Sequence, residues 1–119
     1  MYSVQVLDHF QNPRNAGEVE DADAAAEVEN PACGDVLRLS LKISEGRISA
    51  ARFKAKGCVA AIACGSALTD LVVGKTPSEA RKLRREDVIA VIGSLPQAST
   101  HAAQLALDVL AEALSPIDQ

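Results

Sequence analysis

The sequence predicts an α+β domain: a three-stranded antiparallel sheet with helices packed on one face. Two observations carry this. The stretches Asp35 to Ser44 and Ile48 to Lys56 alternate apolar and polar residues with a period of two. After Gly57 the patterning becomes helical to the end of the chain. Strands therefore precede helices, the order of an α+β fold rather than of alternating β/α units. A length of 119 residues fits a single domain, residues 1–119.

Each element follows from local pattern. Ser3 to Gln11 carries Val4, Leu7 and Phe10 at helical spacing, which predicts a short helix buried along that stripe. Pro13 and Gly17 end it. The acidic run Glu18 to Glu29 reads as a surface loop entering a weak strand near Ala24 to Glu29. Leu37, Leu39, Leu41 and Ile43 alternate with Arg38, Ser40, Lys42 and Ser44, so one face meets a core and the other water. Ser44-Glu45-Gly46-Arg47 turns the chain into the next strand, where Ala51, Phe53 and Ala55 face in. Val59 to Val73 is almost wholly apolar and predicts a buried helix. Gly65 within it would cost about 1 kcal/mol against Ala, which points to a close neighbour there. Gly74 is a candidate C-cap, and Thr76-Pro77-Ser78-Glu79 is a capping-box start. Short helices at Pro77 to Leu83 and Glu86 to Ile92 follow, then a final helix from about Ala98 to Leu114. On that helix Thr100, Gln104, Asp108 and Glu112 form a polar stripe, with His101 about 100° away.

Composition narrows function. The chain is 48% hydrophobic but only 3% aromatic, so its core is Ala, Val, Leu and Ile. A net charge of -4 argues against coating nucleic acid. No apolar run of about 20 residues exists to span a membrane. The first residues lack the charged and apolar regions of a secretory signal. Three cysteines, an odd number, do not form a disulfide framework. The expectation is a reduced, cytoplasmic protein whose cysteines bind metal or do chemistry.

Cys33 precedes one strand of the hairpin and Cys58 follows the other, so antiparallel pairing brings them to the same end of the sheet. Cys58 also precedes a helix, where the free N–H groups and macrodipole favour thiolate. Gly34 and Gly57 flank the two cysteines and allow close backbone approach. Asp35, two residues from Cys33, shares its face if the segment is extended. His101 could complete a Cys33, Asp35, Cys58, His101 set that zinc or an iron–sulfur cluster would accept. Each residue also has a plain reading: a cysteine filling space, a turn-capping aspartate, a packed histidine. His9 reads as surface or packing. The basic run Arg81, Lys82, Arg84 and Arg85 reads as a solvated face, with a docking patch for an acidic partner as its alternative.

The chain resembles the U-type iron–sulfur scaffold family, the IscU proteins and the NifU amino-terminal domain. The matching segments are Asp8 to Gly17, Asn30-Pro31-Ala32-Cys33-Gly34-Asp35, Phe53-Lys54-Ala55-Lys56-Gly57-Cys58, Ala61-Ile62-Ala63, Gly74-Lys75 with Glu79-Ala80, and Leu95-Pro96 ahead of His101. The resemblance implies a site of Cys33, Asp35, Cys58 and His101 that binds iron and a [2Fe-2S] cluster, or zinc. It implies sulfur from a cysteine desulfurase and transfer to apo iron–sulfur proteins, an assembly role rather than enzymatic turnover. Two departures stand out. The family's third cysteine, directly after the histidine, is Ala102 here, and the usual Leu-Pro-Pro-Val-Lys stretch is Leu95-Pro96-Gln97-Ala98-Ser99. The second puts chaperone docking in question; the first does so for sulfur acceptance. Cys64 is either the displaced third ligand or a small buried residue. On one regular helix with Cys58 it would stand about 9 Å and 240° away, too far to share a zinc ion; it can join only if Cys58 sits in the loop before the helix or a cluster widens the site. The rival functions are a zinc-bound sulfur acceptor and a degenerate scaffold kept as a regulatory binding module.

Overall fold

In the computed structural model, which describes residues 1–31 and 33–117, the element order is α1 (Val4–Gln11), β1 (Ala24–Glu29), β2 (Val36–Ser44), β3 (Arg47–Lys56), α2 (Val59–Val72), α3 (Pro77–Ala80), α4 (Arg85–Ile92) and α5 (His101–Leu114). The fold expectation holds: one antiparallel sheet in the order β1-β2-β3, with helices against one face. Ala32 of the Asn30 to Asp35 segment lies outside the described residues, as do Asp118 and Gln119.

The alternation read from the sequence sets which face is buried. Leu37, Leu39 and Leu41 on β2 and Ile48, Ala51 and Phe53 on β3 are all buried. Helix α2 lies on this face so closely that a Cβ built on Gly65 would come within 2.7 Å of the Phe53 ring and 3.0 Å of Leu37. Removing the side chain at 65 is what lets an Ala-rich helix meet a nearly aromatic-free sheet at such short range. Helix α5 packs beside α2 and over β1 and β2, burying Ala102, Ala103, Leu105, Ala106 and Val109 while Gln104, Asp108 and Glu112 stay exposed.

Three expectations need correction. First, α1 buries Val6 and His9, whereas Val4, Leu7 and Phe10 are exposed. Its inward stripe is Tyr2, Val6 and His9, also helical in period but including a polar side chain. Second, residues 97–99 form a 3-10 turn, so the last helix begins at His101 instead of Ala98. Third, the acidic run is more than a solvated loop. Gly17 N–H donates to Phe53 O (2.8 Å), where Ala16 forms a parallel bridge to β3. The strap then crosses the outer face of the sheet: Val19 N–H donates to Ser40 Oγ, Glu18 pairs with Arg38 and Lys54, and Asp23 pairs with Lys42. It offsets the cations that the outward positions of β2 and β3 place side by side. The basic run near Arg81 is likewise partly structural, since the Arg81 guanidinium donates to the Leu114 carbonyl at the end of α5.

Candidate metal centre

The end of the hairpin where β2 begins and β3 ends carries three of the four expected residues. Val36 pairs with Lys56, which brings Asp35 and Gly57 together across the ladder. Ahead of β2 the chain makes a tight turn. Gly34 N–H donates to Asn30 O (2.7 Å), Asn30 N–H donates to Asp35 O (2.8 Å), and Gly34 adopts φ +76°. Cys33 and Asp35 thus converge through a turn, not by sharing one face of an extended strand. Cys33 is exposed at its tip, while Asp35 is buried.

Cys58 is the N-cap of α2, in extended backbone, so it stands outside the helix proper. Its N–H donates to Asp35 Oδ1 (3.1 Å) and its thiol donates to Asp35 Oδ2 (3.3 Å). His101, the first residue of α5, brings its Nε2 to 3.5 Å from the same Oδ2. One atom each from Cys33, Asp35 and His101 lies within 4.8 Å of the others. Asp35 is therefore the hub: Cys33 and His101 share its cluster, and Cys58 is hydrogen-bonded to it.

The electrostatics of the hub are mixed. Burial pushes the Asp35 carboxyl up, but hydrogen bonds from Cys58 and Cys33 and the nearby His101 ring outweigh it, and the net effect holds the group below the ordinary carboxylate range. Burial pushes the Cys58 thiol up, and the Asp35 carboxylate adds to this. The N–H groups of Ala60 and Ala61 at the open end of α2 pull the other way and lose. The helix terminus favours the thiolate, as expected, but burial and the Asp35 carboxylate outweigh it; a cation in the hub would favour loss of the proton.

His101 supplies the test of whether a cation fits. A carbonyl can only accept, so the 3.2 Å contact between Nδ1 and Ala98 O puts the ring proton on Nδ1 when the imidazole is neutral. Nε2 then presents a lone pair, buried and without a hydrogen-bond partner, toward a carboxylate and a cysteine. Among the described residues it is the one buried side-chain nitrogen or oxygen so left. A proton or a metal ion at Nε2 would satisfy it, and a second ring nitrogen fixed on a backbone carbonyl is the usual support for a ligating histidine. Soft thiolates, borderline imidazole and a carboxylate suit zinc or iron.

The remaining candidates fall elsewhere. Cys64 has no exposed surface, and burial, with the nearby Cys58, pushes its thiol up to about 12. It is a core residue in this state. Ala102 is also fully buried. His9 is packed: its Nδ1 lies 2.7 Å from Ser66 Oγ. The reading from sequence missed how Gly57 serves the site. A Cβ there would fall 2.1 Å from Asp35 Oδ1, so the carboxylate occupies the space a side chain would fill. The Gly-Cys pair was the available signal.

The chain is thus a small α+β domain with a Cys, Asp and His cluster that could hold a metal ion at the end of its hairpin. The particular family follows from comparison. The NifU-like N terminal domain model matches residues 1–118, and the chain belongs to that family. It is 46% identical over 114 residues to the iron–sulfur cluster assembly scaffold protein IscU 1 of Archaeoglobus fulgidus, covering 96% of this chain and 74% of that protein. It is 40% identical over 118 residues to IscU of Escherichia coli K12, covering 96% and 91%. The solved N-terminal structure of a NifU-like protein from Brucella abortus superposes with a TM-score of 0.79 at 19% identity, covering 96% of this chain and 92% of that one, a likeness of fold.

Proposed function

We propose that this chain is a scaffold or carrier on which iron and sulfide are assembled into a [2Fe-2S] cluster that is then passed to apo-proteins. Cys33 and Cys58 would supply thiolates, His101 its Nε2, and Asp35 an oxygen donor or the weak position that keeps the cargo transferable. The observation that carries this reading is the orphaned His101 Nε2, facing Asp35 and Cys33 beside a fourth donor. Membership of the NifU-like family and 40–46% identity to scaffold proteins support it.

The residues divide the work. Asp35 accepts the Cys58 thiol proton, so it lies on the path by which that proton leaves as a cation enters. Cys33, exposed on its turn, is the sulfur a partner can reach. That exposure also favours a second reading, a sulfur acceptor for a cysteine desulfurase. The Cys33 thiolate would attack the outer sulfur of the desulfurase persulfide; the S–S bond would break and the desulfurase thiolate would leave. Asp35, Cys58 and His101 would hold zinc meanwhile.

The test is anaerobic reconstitution with iron, sulfide and a cysteine desulfurase, followed by visible absorption and metal analysis. The wild type and Cys64→Ala should give a cluster spectrum; Cys33→Ala, Cys58→Ala and His101→Ala should not. Tight zinc with no cluster under any condition would overturn the scaffold reading in favour of the sulfur acceptor.

A further inference from the structure

Gly57 is part of the proposed centre by virtue of what it lacks. The Asp35 carboxylate lies in a notch over its Cα: a Cβ there would be 2.1 Å from Oδ1, 2.6 Å from Cγ and 3.0 Å from the Asp35 Cβ. No real Cβ tolerates such contacts, and the nearest atoms belong to a short side chain with no slack. At the same position the backbone takes φ +152°, a region that L side chains rarely adopt. From the notch Asp35 reaches Cys58 N–H, the Cys58 thiol and the neighbourhood of His101 Nε2 at once.

We infer that Gly57 is the positioning residue for Asp35. Its bare Cα is what holds the carboxylate between Cys58 and His101, and a side chain at 57 would move the oxygen donor out of the centre while leaving every ligand residue in the sequence. A bystander glycine would be replaceable at the cost of backbone strain alone. A positioning glycine acts through Asp35, so its substitution should do nothing more once Asp35 is gone. The inference about metal affinity rests on the scaffold reading; the steric part does not.

The experiment has one metal-free and one metal-bound arm. In the apo protein, amide hydrogen exchange at Cys58 reads the Asp35 hydrogen bond directly. Gly57→Ala should speed it about tenfold or more, as Asp35→Ala does, because a bond to a charged acceptor is lost. In the second arm Co(II) is titrated anaerobically and its thiolate and ligand-field bands recorded. Gly57→Ala should shift those bands as Asp35→Ala does and weaken binding roughly 10–100-fold. The double variant should match Asp35→Ala in both arms. Replacing Gly57 by D-alanine, through ligation of the full chain at Cys58, relieves the backbone but leaves the notch open and should behave as wild type.

Wild-type exchange and cobalt spectra in Gly57→Ala would overturn the inference. So would an effect that persists in full without Asp35, or D- and L-alanine acting alike. If Gly57→Ala fails to fold, the double variant must recover the fold for the inference to stand. A wild-type protein that binds no Co(II) through thiolate, yet shows the expected exchange pattern, sinks the scaffold reading and leaves the positioning role intact.

Discussion

The chain has two histidines, and the fold treats them in opposite ways. His9 is buried on the inner face of α1 with Nδ1 against Ser66 Oγ. That hydroxyl also accepts Arg14 N–H (2.8 Å), Thr69 Oγ1 donates to Ser66 O (2.7 Å), and Asn15 donates to Thr69. The turn after α1 is thereby fastened to α2 by a closed set of hydrogen bonds. His101 is half exposed, yet its Nε2 is buried and has no such partner. A polar group that its neighbours saturate is holding the structure together. One left open against a carboxylate and a thiol has a lone pair free for a proton or an ion.

Substitutions can sharpen or break that contrast. The largest effect falls on the open cluster. His101→Ala or Cys33→Ala should weaken Co(II) or zinc binding by roughly 100-fold or more, beyond the usual cost of losing a supporting group, with little change in the urea midpoint. A binding isotherm equal to wild type would remove His101 from the centre. Metal uptake by the wild type should weaken as pH falls, because the raised Cys58 thiol must release its proton to solvent as the ion binds. Competition titrations at three pH values read this, and a flat profile would mean Cys58 is not a ligand.

The closed cluster should answer in stability alone. Ser66→Ala strands His9 Nδ1 and Arg14 N–H and should cost about 1–3 kcal/mol in urea unfolding while metal affinity stays unchanged. Gly65→Ala is the packing control. Helix propensity gains up to about 1 kcal/mol, but crowding against Phe53 and Leu37 costs about 1–3 kcal/mol, so the net is a small loss. The smallest effect is electrostatic. Burial, and then the Arg14 charge, hold the His9 pKa below its ordinary 6.5. Below that pH the unfolded chain takes up a proton that the folded chain refuses. The His9 contribution is therefore intact above about pH 6.5 and is lost as pH falls through 6.5 toward the folded pKa. Urea midpoints between pH 7.5 and 5.5 should decline less in His9→Gln than in wild type.

Much of this arrangement was legible in the residues, for physical reasons that differ by element. Strand alternation at Leu37, Leu39 and Leu41 fixed the buried face because one side of a sheet must be apolar. The meeting of the two cysteine loops followed from antiparallel pairing. Helix α1 was misread because its inward face includes His9, whose hydrogen-bond partner Ser66 lies 57 positions away, where no local pattern displays it. The strap at Glu18 escaped for the same reason, its cationic partners lying 20 and 36 residues on. The notch at Gly57 needed the register of β2 and β3 before its neighbour could be named.

The spread of the cluster along the chain has a consequence for biosynthesis. Cys33, Asp35 and Cys58 belong to one meander whose strands are neighbours in sequence, whereas His101 arrives on the last helix. During vectorial synthesis the amino-terminal donors can assemble before the histidine has left the ribosome. A nascent or carboxy-terminally truncated chain would present a three-donor cluster and hold cations weakly. Tight loading would await the docking of α5, and a loaded cation would in turn favour the docked form by mass action. On the scaffold reading, occupancy of the centre would then report that the whole domain had been made and folded.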